Sequence, residues 1–152
     1  MLQRGQPAPE FEAELDDGNT FRLADHRGKR NVVLYFYPSD FSSGCTAQAC
    51  WFRDSYASIG AYDAIIVGVS RDSAESHRAF KEKYDLAYPI ITDPDGALAE
   101  TFDVRSSLPL IRPRVTYVID KAGVIRAAFR HDIAIGRHLK DTLAALEAIK
   151  VT

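Results

Sequence analysis

Residues 31–50 read NVVLYFYPSDFSSGCTAQAC, and this stretch decides the fold. The run 31–37 is apolar, β-branched and aromatic, which is the pattern of a strand covered on both faces. A polar turn with Gly44 follows, and Ser42 or Ser43 can cap a helix that carries Cys45 in its first turn. Because unpaired backbone N–H groups and the helix dipole stabilise an anion there, the sequence predicts a nucleophilic thiolate at Cys45.

Length and composition limit the class of protein. The 152 residues, 46% of them hydrophobic, suit a single domain spanning 1–152. No apolar stretch approaches the ~18 residues of a transmembrane helix, and the N-terminus has no apolar segment typical of a secretory signal. We therefore expect no membrane contact and a reducing cytoplasmic location, where two cysteines favour redox or metal chemistry. A net charge of −2 gives no reason to expect nucleic acid as a partner.

Strand and helix patterns alternate along the rest of the chain. The predicted strands are a hairpin at 11–15 and 20–23, a central strand at 64–69 and a second hairpin at 115–119 and 124–129. Four helices are predicted. The first runs from Cys45 to Ile59, and the second from a capping box of Asp72 and Glu75 to about Tyr84. A short helix near Glu100 follows Asp93-Pro94, and the last helix carries the apolar stripe Leu139, Leu143, Leu146 and Ile149. This order predicts a three-layer α/β domain with a central mixed β-sheet, an N-terminal β-hairpin and the cysteine helix at the end of a central strand.

The spacing of the two cysteines constrains their chemistry. On an ideal helix Cys50 lies ~140° around the axis from Cys45 and ~7.5 Å along it, so their Cα atoms are roughly 8.6 Å apart. A disulfide needs Cα atoms closer than about 7 Å. If the two cysteines join, the first turns of the helix must therefore unwind, and the protein has two conformations coupled to its redox state. The alternative is that Cys45 is a small apolar core residue and Cys50 an incidental surface thiol.

The same stretch resembles the active-site signature of a known family. The residues Tyr35-Phe36-Tyr37-Pro38, Ser42, Gly44-Cys45-Thr46, Ala49-Cys50 and Phe52-Arg53-Asp54 closely follow the signature of the peroxiredoxins, specifically the peroxiredoxin Q (PrxQ) or bacterioferritin comigratory protein (BCP) type. The resemblance extends from residues 5–11 through 114–120 to the last helix. It implies a thioredoxin-like fold and peroxide reduction, with Cys45 as the peroxidatic cysteine that forms a sulfenic acid. Cys50 is then the resolving cysteine, which closes an intramolecular Cys45–Cys50 disulfide.

Attack by a thiolate on an O–O bond requires donors that align both oxygens and stabilise the charge on the leaving oxygen. The Ser42 hydroxyl and the backbone N–H groups of Gly44 and Cys45 can polarise the peroxide, while Pro38 shapes the turn and shields the thiolate. By the resemblance, Arg114 corresponds to the family's catalytic arginine, whose fixed charge holds the thiolate and assists the departing oxygen. This chemistry requires no metal, flavin or haem, so no cofactor is expected.

The sequence departs from the usual pattern of the subfamily at three places. Ser42-Ser43 stands where Thr-Pro is common, and Gln48 stands where Glu is usual, which replaces a charged partner in the site by a neutral one. Trp51 stands where a small residue is usual and is expected to report opening of the helix by fluorescence.

Other polar residues carry weaker signals. Arg53 is expected to pair with Asp54 on the helix surface, although the resemblance also allows it to contact the site. The four histidines show no metal-ligand spacing with the cysteines and are expected on the surface: His26, His77, His131 and His138.

The leading prediction is a thiol peroxidase for hydrogen peroxide and small organic hydroperoxides in antioxidant defence. Its disulfide would be reduced by thioredoxin or a glutaredoxin-like donor. The first alternative is a thioredoxin-like thiol-disulfide oxidoreductase, a class that favours C-x-x-C, which this chain lacks. The second is a non-catalytic redox sensor in which oxidation of Cys45 alters a partner surface. A monomer is expected, with a weak dimer as the alternative.

Overall fold

A five-stranded mixed sheet forms the centre of the fold in the computed structural model, which describes residues 1–105, 113–131 and 135–150. The strands are β1 (Glu12–Glu14), β2 (Thr20–Arg22), β3 (Asn31–Phe36), β4 (Ala64–Ser70), β5 (Ile90–Thr92), β6 (Val115–Ile119) and β7 (Ile125–Arg130). The α-helices are α1 (Ser43–Asp54), α2 (Tyr56–Gly60), α3 (Ala74–Tyr84), α4 (Ala97–Thr101) and α5 (Arg137–Lys150). A 3-10 helix spans Leu23–His26.

The sheet order β5-β4-β3-β6-β7 puts β3 in the middle. Strand β3 is parallel to β4 and antiparallel to β6, while β5 is parallel to β4 and β7 antiparallel to β6. Strands β1 and β2 form the separate N-terminal hairpin, which reaches the edge of the sheet through a bridge between Leu15 and Ile91. The predicted mixed sheet, both hairpins and the helix after a central strand are therefore confirmed.

Both faces of β3 are covered, as its unbroken apolar sequence predicts: every residue of β3 is buried. Because side chains alternate along a strand, Val33 and Tyr35 join one core with residues of α1, α3 and α5. Leu34 and Phe36 join a second core with residues of the N-terminal hairpin and α4. The three layers are thus the helices α1, α3 and α5, the sheet, and the hairpin with α4.

Two predicted helix starts and one predicted helix length are wrong. The backbone leaves the helical conformation at Ser55 (φ −99°, ψ 3°), so α1 and α2 are separate helices. Ser73, and not Asp72, caps α3 by accepting a hydrogen bond from Ser76 N at 3.1 Å. Asp72 is occupied elsewhere, since its Oδ2 accepts from Ser70 Oγ at 2.8 Å.

The start of α4 also differs from the prediction. Pro94 is not its first residue, because the helix begins at Ala97 after Gly96, which adopts a left-handed φ of 73°. Asp93 still serves the helix from outside, since its carboxylate accepts from Leu98 N at 3.0 Å and Ala99 N at 3.1 Å. In the described ranges no helix combines the length and apolar character needed to cross a membrane.

Candidate active site

The first turn of α1 holds Cys45 in the position that the sequence predicts. Ser42 is the N-cap, with an extended backbone (φ −65°, ψ 149°), and its Oγ accepts a hydrogen bond from Cys45 N at 3.4 Å. The same hydroxyl donates to the Ser39 carbonyl at 3.2 Å, which orients the cap. Since α1 begins at Ser43, Cys45 is its third residue, where backbone N–H groups have no partner within the helix.

Arg114 approaches the sulfur from the strand beside β3. It directly precedes β6, whose first residue, Val115, pairs with Phe36 at the end of β3. Its Nη2 donates to Cys45 Sγ at 3.3 Å, and only 5% of its surface is exposed. Cys45 is itself 1% exposed. A fixed positive charge at hydrogen-bond distance in a buried site stabilises an anionic sulfur far more than it would in water.

Gln48 also contacts the guanidinium of Arg114. Its Oε1 accepts from Arg114 Nη1 at 2.6 Å, and its side chain is 1% exposed. The amide orientation follows from this contact, because the opposite orientation would set an N–H donor against the guanidinium. The Gln48 Nε2 group has no hydrogen-bond partner among the described residues. Gln48 lies three residues after Cys45, on the same side of the helix, and the resemblance had already placed this position in the site.

Gly44 lies in close contact with two neighbouring side chains. A Cβ at this position would lie 2.6 Å from Ile135 Cδ1 and 3.3 Å from Arg114 Nη2. The segment before α5 therefore packs directly on the first turn of α1. Sequence reasoning missed Ile135, because nothing in its local sequence indicates a contact with a residue 91 positions earlier.

The structure does not bring Cys50 together with the other predicted site residues. Both cysteines are free, Cys45 buried and Cys50 half-buried, and both lie within the unbroken helix α1. Between them the Ala49 carbonyl accepts a hydrogen bond from Tyr88 Oη at 3.1 Å, and Tyr88 Oη lies 2.8 Å from Tyr35 Oη. Burial raises the pKa of Tyr88 and of Tyr35, so both hydroxyls stay protonated. This is the form of the protein before any disulfide forms.

Pro38 follows β3 and is half-buried. It borders a cleft of about 660 Å³ at the carboxyl ends of β3 and β4, with Arg71, Asp95 and Arg105 also in its lining. Among the described residues Cys45, Ser42 and Arg114 do not line this cleft.

The remaining predictions had mixed outcomes. Arg53 pairs with Asp54 at 2.9 Å, as expected, and also donates to the Tyr84 carbonyl at 2.7 Å. Trp51 is 38% exposed, and a Cβ atom placed on Gly136 would lie 3.5 Å from its ring atom Cη2. The surface prediction is wrong for His77 and His138, which are both 0% exposed. In the part of the chain that the structure describes, no group of three His, Cys, Asp or Glu residues could hold a metal ion.

Comparisons with known proteins agree with this geometry. Residues 4–128 match the model of the AhpC/TSA family. Peroxiredoxin Bcp of Bacillus subtilis (strain 168) is 40% identical over 152 residues, which cover 96% of each chain. Peroxidoxin BcpB from Mycobacterium tuberculosis has a similar structure, with a TM-score of 0.89 at 31% identity, covering 98% of this chain and 99% of that one.

A further solved structure is the bacterioferritin comigratory protein of Xanthomonas campestris, whose alkyl peroxide reduction activity was studied through trapped intermediate and ligand complexes. It has a TM-score of 0.84 at 31% identity and covers 91% of both chains. The chain belongs to the AhpC/TSA family, in which it is a peroxiredoxin of the Bcp and Q type, a thiol peroxidase with a thioredoxin-like fold. The predicted family, fold and class of enzyme are therefore confirmed.

Proposed function

We propose that Cys45 is the peroxidatic cysteine and Cys50 the resolving cysteine of this peroxidase. The observation that carries the proposal is the 3.3 Å contact between Arg114 Nη2 and Cys45 Sγ at the N-terminus of α1. Helix and guanidinium both favour the thiolate, which is the nucleophilic form of cysteine.

In the first step, the Cys45 thiolate attacks one oxygen of a hydroperoxide. The S–O bond forms as the O–O bond breaks, and the bonding pair leaves on the distal oxygen, which takes a proton and departs as water or an alcohol. Cys45 is oxidised by two electrons to a sulfenic acid. Arg114 stabilises the departing charge, and the Ser42 hydroxyl adds to this once it exchanges its bond to the Ser39 carbonyl for one to the peroxide. Pro38 limits access of water to the sulfur.

We propose hydrogen peroxide and small organic hydroperoxides as substrates. The alkyl peroxide reduction activity of the Xanthomonas campestris relative supports the organic part of this substrate range.

In the second step, the Cys50 thiol attacks the sulfenic sulfur, water leaves and the Cys45–Cys50 disulfide forms. Helical geometry keeps the two Cα atoms roughly 8.6 Å apart, beyond the reach of a disulfide, so this step requires α1 to unwind. A dithiol protein, thioredoxin or a glutaredoxin-like donor, then returns two electrons by thiol-disulfide exchange.

The cycle needs one chain of one domain (1–152) and no cofactor, so we propose a monomer, with a weak dimer as the alternative. A dithiol donor is available in a reducing compartment, and the cytoplasm is the proposed location.

Stopped-flow fluorescence of Trp51 tests the assignment of the two cysteines. In the wild type, peroxide should cause a concentration-dependent phase followed by a first-order phase as the helix unwinds. Cys45→Ser should abolish both phases. Cys50→Ser should keep the first phase and stall as the sulfenic acid, which a dimedone adduct in mass spectrometry identifies.

Two outcomes would contradict the proposal. Peroxide consumption by Cys45→Ser at the wild-type rate would remove Cys45 from the first step. Absence of a Cys45–Cys50 disulfide in tryptic peptides of the oxidised wild type would remove Cys50 from the second. Turnover with a thioredoxin system separates the peroxidase from a non-catalytic redox sensor.

A further inference from the structure

The turn between β3 and α1 is tied to α3 through Asp40, a residue that the proposed chemistry does not use. Asp40 lies between Pro38 and Ser42 and is 8% exposed. Its Oδ1 accepts from Tyr37 Oη at 2.5 Å and its Oδ2 from Ser76 Oγ at 2.8 Å. Its backbone N–H donates to Asp72 Oδ2 at 2.7 Å. Donors and acceptors from three segments thus fix one residue of the turn.

His77 supplies the most deeply buried of these contacts. Its ring is 0% exposed, and its Nδ1 lies 2.7 Å from Asp40 Oδ2. Because a carboxylate only accepts hydrogen bonds, Nδ1 carries the proton. The other ring nitrogen, Nε2, has no hydrogen-bond partner within the described part of the chain. A buried ring with one unsatisfied nitrogen costs stability, so the contribution of His77 lies in its bond to Asp40.

Phe41, the residue after Asp40, explains why the turn needs such restraint. Its φ is +66°, in the left-handed region that a bulky residue disfavours. Its ring is 44% exposed and packs edge-on against Phe80 of α3 at 5.2 Å. The backbone would relax from this conformation if the turn were released, and the N-cap residue Ser42 would move with it.

We infer that Asp40 and His77 are positioning residues for the proposed peroxidase. They hold the turn 38–42 in the form that binds peroxide, and they oppose the unwinding of α1 that the Cys45–Cys50 disulfide requires. The inference rests on the proposed function, because it assumes that the first step uses the folded helix and the second the unwound one. It follows that loss of the contact between Asp40 and His77 should slow the reaction with peroxide and speed the formation of the disulfide.

The test compares both rate constants in Asp40→Asn, His77→Leu and His77→Asn by stopped-flow fluorescence of Trp51. In Asp40→Asn and His77→Leu the second-order rate constant for peroxide should fall about tenfold, as expected when one charge-assisted hydrogen bond is lost. The first-order rate constant for the disulfide should rise. The fraction of Cys45 overoxidised to the sulfinic acid at high peroxide, measured by mass spectrometry, should fall. His77→Asn keeps an N–H donor for Asp40 and should restore both rate constants toward the wild type.

Asp16→Asn is the matched control. Asp16 is 4% exposed and its carboxylate also binds α3, through Lys81 Nζ at 3.1 Å, but it does not contact the turn. This variant should lower stability to urea without separating the two rate constants. If Asp40→Asn does not fold, the two His77 variants give the same comparison.

The inference is overturned if the two rate constants do not move in opposite directions in the folded variants, or if Asp16→Asn gives the same pattern. If the wild type lacks either phase, or if Cys45→Ser retains them, the proposed function is contradicted, and not the positioning role of Asp40 and His77.

Discussion

The two halves of α1 differ in what restrains them. At the N-terminal half, Cys45 is 1% exposed and contacts Arg114, while the cap Ser42 is bonded to the turn before it. At the other half, Cys50 is half-buried on the helix surface. Both halves are therefore restrained, but the charged and capping contacts are concentrated at the first turns, which must unwind for the disulfide to form. The other half is held by its buried face and by a hydrogen bond from Arg53. The predictions below test this division between the first turns, called here the ordered end, and the rest of the helix.

The largest effect is expected at the ordered end, from Arg114→Met. Removing a donor that stabilises developing charge costs up to about a thousandfold in rate, and the guanidinium makes the 3.3 Å contact with Cys45 Sγ. The second-order rate constant for hydrogen peroxide should fall by about this factor. Arg114→Lys should recover part of it, because an ammonium keeps the charge but cannot contact both Cys45 and Gln48.

Arg126→Lys is the control, since Arg126 also lies on the sheet but binds Asp120, at 3.2 Å. It should leave the rate constant unchanged. A loss of less than tenfold in Arg114→Met would mean that the helix N-terminus alone stabilises the thiolate.

The second test concerns the support behind Arg114. His138 Nδ1 lies 2.8 Å from Thr116 Oγ1, two residues after Arg114, and its Nε2 donates to the His131 carbonyl at 3.0 Å. Burial, the largest cause, lowers the pKa of His138 to about 4 from its ordinary 6.5. The unfolded chain therefore binds a proton between pH 6.5 and 4 that the folded protein does not. The resulting stability is fully present above pH 6.5 and is lost as the pH falls to 4, a change of about 3 kcal/mol.

Urea unfolding of the wild type and of His138→Gln at several values between pH 7 and pH 4 measures this loss. The difference between the two proteins should shrink as the pH falls, since other titrating groups are common to both. Parallel loss of stability in the two proteins would contradict the depressed pKa of His138.

The third test returns to the charge beside Cys45. Gln48→Glu keeps an acceptor for Arg114 Nη1 but adds a negative charge within the buried site, which opposes the thiolate. The rate constant for peroxide at pH 7 should fall about tenfold, the effect of one pKa unit of electrostatic interaction. Gln48→Met, which is neutral and similar in size, should fall less. A Glu variant as fast as the wild type would show that the neutral residue at position 48 has no electrostatic role.

Local sequence predicted what local physics determines. A serine cap at Ser42 or Ser43, the strand that begins at residue 31 and the two hairpins depend on residues a few positions apart, and each was predicted from pattern alone. The end of the helix at Ser55 was not predicted because the apolar stripe continues across it, with Phe52 and Ile59 both buried. Periodicity reports which side of the chain faces the core, and it does not report where a backbone turn interrupts the helix.

Long-range partners explain the other misses. The burial of His77 and His138 could not be predicted because their hydrogen-bond partners are distant in the chain. Asp40 lies 37 positions from His77, and Thr116 lies 22 positions from His138. The prediction of Asp72 as a helix cap failed because its carboxylate accepts a hydrogen bond from Asp40 N, a contact between distant segments. Arg114 was assigned to the site only through the resemblance to the peroxiredoxins. Neither its spacing nor its local sequence indicates that it approaches Cys45.

The smallest effect is expected at the boundary between the two halves of α1, where Tyr88 Oη donates to the Ala49 carbonyl at 3.1 Å. Tyr88→Phe removes this hydrogen bond and the contact with Tyr35 Oη, and one neutral hydrogen bond contributes about 1 kcal/mol. Because the bond exists only while the helix is intact, the first-order phase of disulfide formation should become about fivefold faster. The peroxide phase should not change. Tyr117→Phe is the matched control, since Tyr117 Oη donates to the Phe102 carbonyl in the other core, and it should leave both phases as they are. If Tyr88→Phe slowed the peroxide phase instead, the restraint at Ala49 would belong to the ordered end, and the boundary between the two halves would lie closer to Cys50.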